Sequence, residues 1–236
     1  MAKDISLVIG IDEAGRGPVL GDMVIAVAVF REDVLEAING LGVRDSKLLT
    51  PNIREKLVPY IIKYSLAVIV SRISPIEIDH YNLNELTISR IDYILGSLSK
   101  VIDPFQVRRI TIDMITGYRK YSPNYKRYFP DADVIFEVDA DAKYAEVSAA
   151  SIIAKYYRDQ LINELKRYYG EIGSGYPTDQ RTINWIKSLY KKGYPPPPFI
   201  RRTWGVLEKI APKWHMGKKK KMRRRKKQKT LTDFMD

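Results

Sequence analysis

The sequence predicts an α/β fold: a mixed β-sheet flanked by helices, then a C-terminal helical segment and a basic tail that is disordered on its own. Three observations lead there. Three short apolar runs rich in β-branched residues come early in the chain. Helical and strand patterns then alternate, and helical patterns dominate the last third. The final stretch, 217–236, is of low complexity and highly charged, a composition that does not bury a core.

Taken in order, Ile5–Ile11 is the first buried strand, and it stops at the turn-rich Asp12-Glu13-Ala14-Gly15-Arg16-Gly17-Pro18. Met23–Phe30 is the second strand. Thr50-Pro51, an N-cap followed by a first-turn proline, opens a helix to about Lys63. Leu66–Ser71 is the third strand. A helix follows from about Asn84 to Val101, with Leu86, Ile91, Ile94, Leu95 and Leu98 on its apolar face. Val107–Asp113 and Asp133–Val138 are the fourth and fifth strands. Glu146–Tyr169 is a helix with a small-residue start, Thr178 caps a helix to about Lys191, Pro195–Pro198 is extended, and Ile200–Ile210 is the last packed helix. The expected units are residues 1–170, a helical segment 171–216 packed on them, and the flexible tail 217–236.

Composition removes several function classes. With no cysteine there is no disulfide framework, zinc-thiolate site or cysteine nucleophile. The two histidines, His80 and His215, are expected at the surface or in structural roles. No apolar run approaches the length of a membrane span, and the N-terminus lacks a signal-like stretch. The expectation is a soluble cytoplasmic protein with no membrane partner, by default a monomer. The net charge is +12, but ten Lys and Arg against two Asp place +8 of it in residues 217–236. A basic excess of this kind suits an acidic polymer such as nucleic acid, or simply a solubilising tail.

The acids fall at strand ends. Asp12 and Glu13 close the first strand, Asp113 closes the fourth, and Asp141 follows the fifth just before a helix. In an open α/β sheet, sites gather beyond the strand ends, so these side chains converge if strands one and four are neighbours. Carboxylates crowded in one crevice need a counter-cation, and a hard ion with oxygen ligands, Mg²⁺ or Mn²⁺, suits them. Two such ions about 4 Å apart support phosphodiester hydrolysis. Each acid alone reads equally well as a turn former or a helix cap.

Four blocks then carry a resemblance: Gly10-Ile11-Asp12-Glu13-Ala14-Gly15-Arg16-Gly17-Pro18, Asp45-Ser46-Lys47, Val147-Ser148-Ala149-Ala150-Ser151-Ile152-Ile153-Ala154-Lys155 and Gly173-Ser174-Gly175-Tyr176-Pro177. In this order, over about residues 5–210, they resemble the type 2 ribonucleases H, and the archaeal-type ribonuclease HII family above all. The resemblance implies a ribonuclease H-like mixed β-sheet with an added C-terminal helical segment. It implies endonucleolytic hydrolysis of RNA in RNA–DNA hybrids and incision 5′ to ribonucleotides embedded in duplex DNA, leaving a 3′-hydroxyl and a 5′-phosphate. The implied catalytic and metal-binding acids are Asp12, Glu13, Asp113 and Asp141. Asp139, two residues earlier, is the alternative for the fourth, although the spacing to Val147–Ser151 favours Asp141.

The 2′-hydroxyl is what separates ribose from deoxyribose locally. Gly15-Arg16-Gly17 brings backbone close to a sugar, since glycine has no side chain, and by resemblance it reads that hydroxyl; a simple tight turn is the other reading. Tyr176 is implied to stack on the following sugar and Lys47 to touch a phosphate. Their plain alternatives are a core or surface tyrosine and a solvated lysine. At the end of the chain, Gln228, Leu231, Phe234 and Met235 resemble the short peptide that binds the replication sliding clamp, with Met235 standing where a second aromatic is usual. Two rival functions stay open: a DNA-directed nuclease or integrase of the same fold, and a non-catalytic hybrid-binding protein recruited to the clamp.

Overall fold

The computed structural model describes residues 5–43, 49–113, 117–121 and 123–217. Its centre is a five-stranded mixed sheet in the order β3-β2-β1-β4-β5. The strands are β1 (Leu7–Ala14), β2 (Met23–Arg31), β3 (Ala67–Ile73), β4 (Val107–Asp113) and β5 (Asp133–Glu137). β1, β2 and β3 form an antiparallel meander, whereas β4 runs parallel to β1, and β5 parallel to β4. The strand predictions hold in number and place. β1 runs three residues further than expected, because Asp12, Glu13 and Ala14 still pair with Ala26, Ile25 and Val24 of β2.

Side chains of a strand alternate between the two faces, and both faces here are buried. Leu7, Ile9 and Ile11 of β1 join Ile25 and Val27 of β2 and Ile110 and Ile112 of β4 in one core. Ile88, Ile91, Leu95 and Leu98 of α4 (Leu83–Leu98) cover that core. Val8 and Ala14 face the opposite core, covered by α6 (Ala145–Tyr169), with α1 (Leu35–Gly40) and α2 (Pro51–Tyr64) outside it. The small residues at the start of α6 allow close approach: a Cβ built on Gly10 would stand 2.1 Å from the Glu146 carbonyl oxygen.

A third core joins the C-terminal segment to this body. Val19 and Leu20, between β1 and β2, pack with Ile162 of α6, Ile186 of α7 (Gln180–Lys191), Phe199, Ile200 and Trp214, and with Leu207 of α8 (Val206–Ile210). Two boundaries differ from the sequence reading. Asp179, not Thr178, caps α7, its carboxylate accepting the Arg181 amide. Residues 200–205 are not helical: Ile200 bridges to Leu20 instead, and the helix begins at Val206. The short helices α1, α3 (Pro75–His80) and α5 (Ala140–Lys143) were not anticipated. Among the described residues no helix is long and apolar enough to cross a membrane.

Candidate active site

The parallel ladder between β1 and β4 ends at Ile11 opposite Ile112. Asp12 and Asp113 are therefore the next residues on two adjacent strands. By alternation both side chains leave the sheet on the α6 side, where Thr111 Oγ1 also meets Glu146 Oε1 at 3.0 Å. Asp12 is buried, accepts its neighbour Glu13's amide on Oδ1 at 2.7 Å, and is hydrogen-bonded by Ser151 of α6. Burial pushes its carboxyl up from 3.8 to about 7. The Asp113 charge adds to this, while Ser151, the Glu13 amide and Lys155 oppose it. Asp113 Oδ1 accepts the Ala140 amide at 3.0 Å, which ties β4 to the first turn of α5.

Glu13 leaves on the other face. Its carboxylate takes Arg16 Nη1 at 2.7 Å and the Thr87 hydroxyl of α4 at 3.2 Å. With Asp12 and Asp113 it lines a narrow cleft floored by Ile11, Ile25, Ile91 and Ile112. Asp141 is buried in α5, with its Oδ2 3.8 Å from Lys155 Nζ. Asp139 is exposed and adopts φ +54°, the left-handed conformation suited to a turn. Lys155 thus lies near both Asp141 and Asp12. Among the described residues no three carboxylate, imidazole or thiol groups stand together at metal-chelating distance.

The glycine loop follows directly on β1. Gly15 has φ +83°, a conformation that a side chain would strain. Gly17 lies against Tyr176: a Cβ built there would be 3.6 Å from the tyrosine Cε1. Tyr176 is 38% exposed, and the Arg158 guanidinium carbon lies 5.0 Å from its ring centroid. Arg16 directs its guanidinium to Glu13 and Asn84. His80 is exposed and His215 sits 3.5 Å from Glu208, both away from the acids. Lys47, Gln228, Leu231, Phe234 and Met235 lie outside the described residues.

Several supporting residues escaped the sequence reading. Ser151 and Lys155 belong to the recognised helix block, and their positions one helical turn apart could have marked a face turned to the acids. Arg158 and Arg201 gave no such signal, since a buried arginine looks like any other in sequence. Arg201 is fully buried; burial and the nearby Arg158 charge lower it to about 10, so it remains a cation at neutral pH.

Comparison with known proteins places the chain in a family. The ribonuclease HII family model matches residues 9–206. The chain belongs to the ribonuclease HII family. The ribonuclease HII of Sulfurisphaera tokodaii is 42% identical over 212 residues, covering 90% of this chain and 99% of that protein. The crystal structure of the ribonuclease H2 from Pyrococcus horikoshii superposes with a TM-score of 0.77 at 43% identity, covering 88% of this chain and 98% of that one. A ribonuclease HII of Archaeoglobus fulgidus, solved in complex with PCNA, superposes with a TM-score of 0.74 at 30% identity, covering 96% and 100%. This family is one of ribonuclease H enzymes, so the mixed sheet and the acids of β1 and β4 belong to a ribonuclease.

Proposed function

We propose that the chain hydrolyses the RNA strand of RNA–DNA hybrids and incises 5′ to ribonucleotides embedded in duplex DNA, leaving 3′-hydroxyl and 5′-phosphate ends. The observation that carries this reading is the pair Asp12 and Asp113 at the ends of adjacent parallel strands, with Glu13 next to Asp12 and the left-handed Gly15 turn three residues beyond it.

The donor set suits a hard divalent cation. Every candidate ligand is a carboxylate, and Asp12, buried and beside Asp113, resists ionising until about pH 7, a penalty that a cation relieves. Asp12, Glu13, Asp113 and Asp141 would hold Mg²⁺ or Mn²⁺, with water and substrate phosphate completing the shell. Held by these carboxylates, such a pair of ions would supply Lewis-acid activation of a water and charge stabilisation for the leaving oxygen. The chain's own residues position and select. The Ala140 amide orients Asp113, Ser151 and the Glu13 amide orient Asp12, and Arg16 with Thr87 orients Glu13. Gly15-Arg16-Gly17 lies where backbone meets the sugar, and its amides read the 2′-hydroxyl. Tyr176, packed on Gly17, stacks on the sugar that follows, and Lys47 contacts a phosphate.

In this reading residues 1–170 are the catalytic domain, 171–216 a helical segment packed on it, and 217–236 a basic arm carrying the clamp-binding residues Gln228, Leu231, Phe234 and Met235. The A. fulgidus relative's complex with PCNA supports that last assignment. A monomer tethered to a sliding clamp fits removal of RNA primers and stray ribonucleotides during cytoplasmic DNA replication and repair. The test is turnover of an RNA–DNA hybrid by wild type and Asp113→Asn, in Mg²⁺ and in EDTA. Cleavage by wild type in Mg²⁺ alone, lost in the variant, is expected. Unchanged cleavage by Asp113→Asn would remove the acids from the mechanism. Clamp binding should disappear in Phe234→Ala, measured by titration calorimetry against the purified clamp.

A further inference from the structure

We infer that Arg201 is a positioning residue for the sugar-reading loop: reaching in from the C-terminal segment, it holds the carbonyls of that loop so that the loop's amides face the substrate. The inference rests on the reading of Gly15-Arg16-Gly17 given above. Arg201 has no exposed surface, and each guanidinium nitrogen donates to a backbone carbonyl. Nη2 reaches Gly15 O at 2.6 Å, Nη1 reaches Arg16 O at 3.0 Å, and Nε reaches Gly21 O at 2.8 Å. Trp204 Nε1 takes the next carbonyl, Gly17 O, at 2.9 Å. The brace is itself anchored, because the Arg201 amide donates to Val19 O at 2.9 Å and Ile200 bridges to Leu20.

In a trans peptide the C=O of one residue and the N–H of the next point in opposite directions. Fixing the carbonyls of Gly15 and Arg16 toward Arg201 therefore turns the amides of Arg16 and Gly17 away from it. Among the described residues no backbone carbonyl accepts either amide. The two are left as donors turned away from Arg201, in a loop whose Gly17 lies against Tyr176. A guanidinium suits the task because its planar fork serves several acceptors at once; an ammonium is a point charge that cannot span three separate carbonyls in the same way. Among the described residues no carboxylate forms an ion pair with Arg201. Its charge is met by carbonyl dipoles of the loop, so loop geometry and burial of the cation depend on one another.

The test uses the full chain carrying Arg201→Lys and, separately, Trp204→Phe, which keeps a ring and removes the donor to Gly17. In Mg²⁺, KM and kcat are measured on a duplex with one ribonucleotide. The same all-DNA duplex serves as an uncleaved competitor and gives Ki. Wild type should show KM well below Ki. In Arg201→Lys, KM should rise roughly tenfold, the loss expected for one charged-group hydrogen bond left unmade, with Ki unchanged. Trp204→Phe should shift KM in the same direction by less, and it carries the test if Arg201→Lys does not fold. A brace that serves stability alone would lower the folded fraction and hence apparent kcat, leaving KM and Ki as in wild type; that result in a folded variant overturns the inference. A wild-type KM no lower than Ki would instead overturn the sugar-reading role of the loop, and the inference with it.

Discussion

Replacing Asp12 by asparagine should abolish turnover and yet stabilise the metal-free protein above neutral pH. The Asp12 carboxyl is raised from 3.8 to about 7, first by burial and then by Asp113. A shift of about three units, at roughly 1.4 kcal/mol per unit, sets a ceiling of about 4 kcal/mol on the cost of ionising Asp12 in the fold. The folded state binds this proton more tightly than the unfolded chain. Its contribution is therefore fully present below about pH 4, is lost as pH rises toward 7, and does not change further above that. Asparagine keeps an oxygen for the Glu13 amide, which now donates to Oδ1 at 2.7 Å, and carries no charge. With some relaxation around the charge, Asp12→Asn should gain about 2–4 kcal/mol at pH 8, or roughly 5–15 °C in Tm for a chain of this size. The assay is thermal unfolding of both proteins in EDTA at several pH values between 4 and 8.5. The gap should be smallest at pH 4 and largest near pH 8, and added Mg²⁺ should raise wild-type Tm more than that of the variant. A variant less stable than wild type at pH 8, or a gap that does not change with pH, would refute the placing of Asp12 as a buried, strained charge.

Other substitutions probe the surroundings of the acids. Gly10→Ala should cost at least about 3 kcal/mol in urea unfolding, because its Cβ would fall 2.1 Å from the Glu146 carbonyl oxygen and drive α6 off β1. Asp179→Ala should lower stability by about 1 kcal/mol through loss of the α7 cap. It should also raise KM, since the same carboxylate accepts the Ser174 amide at 2.7 Å beside the Tyr176 loop. Arg181 and the Ser174 amide hold the Asp179 carboxyl far below the usual carboxylate range, so its contribution should persist at pH 5 and fail only in strong acid. Lys155→Met removes a cation that lowers Asp12, so the acid limb of the kcat/KM profile should move to higher pH.

The strands and long helices were legible because each carries enough apolar residues to mark its own period. The acids were legible because each follows a buried run, and the β1–β4 pairing then brings Asp12 beside Asp113. Helix α3 announces itself in Ser74-Pro75-Ile76-Glu77, a capping box with a first-turn proline, and went unread among the turn-like residues around it. The error over residues 200–205 has a different origin. Phe199, Ile200 and Leu207 are buried as a helix face would be, yet Phe199 lies in a turn and Ile200 bridges to Leu20. Spacing to Val147–Ser151 favours Asp141 over Asp139, but neither the left-handed turn at Asp139 nor the burial of Asp141 has a local sequence signal. Arg201 lies 186 positions from Gly15, and nothing local in sequence reports a contact at that separation.

The most direct measurement is incubation with duplex DNA carrying a single internal ribonucleotide, beside the all-DNA duplex, in Mg²⁺ and in EDTA, with the ends of the products identified. Cleavage on the 5′ side of the ribonucleotide, in Mg²⁺ alone, with 3′-hydroxyl and 5′-phosphate ends and an intact DNA control, is the predicted result. Equal cutting of the all-DNA duplex, or cutting that persists in EDTA, would contradict it.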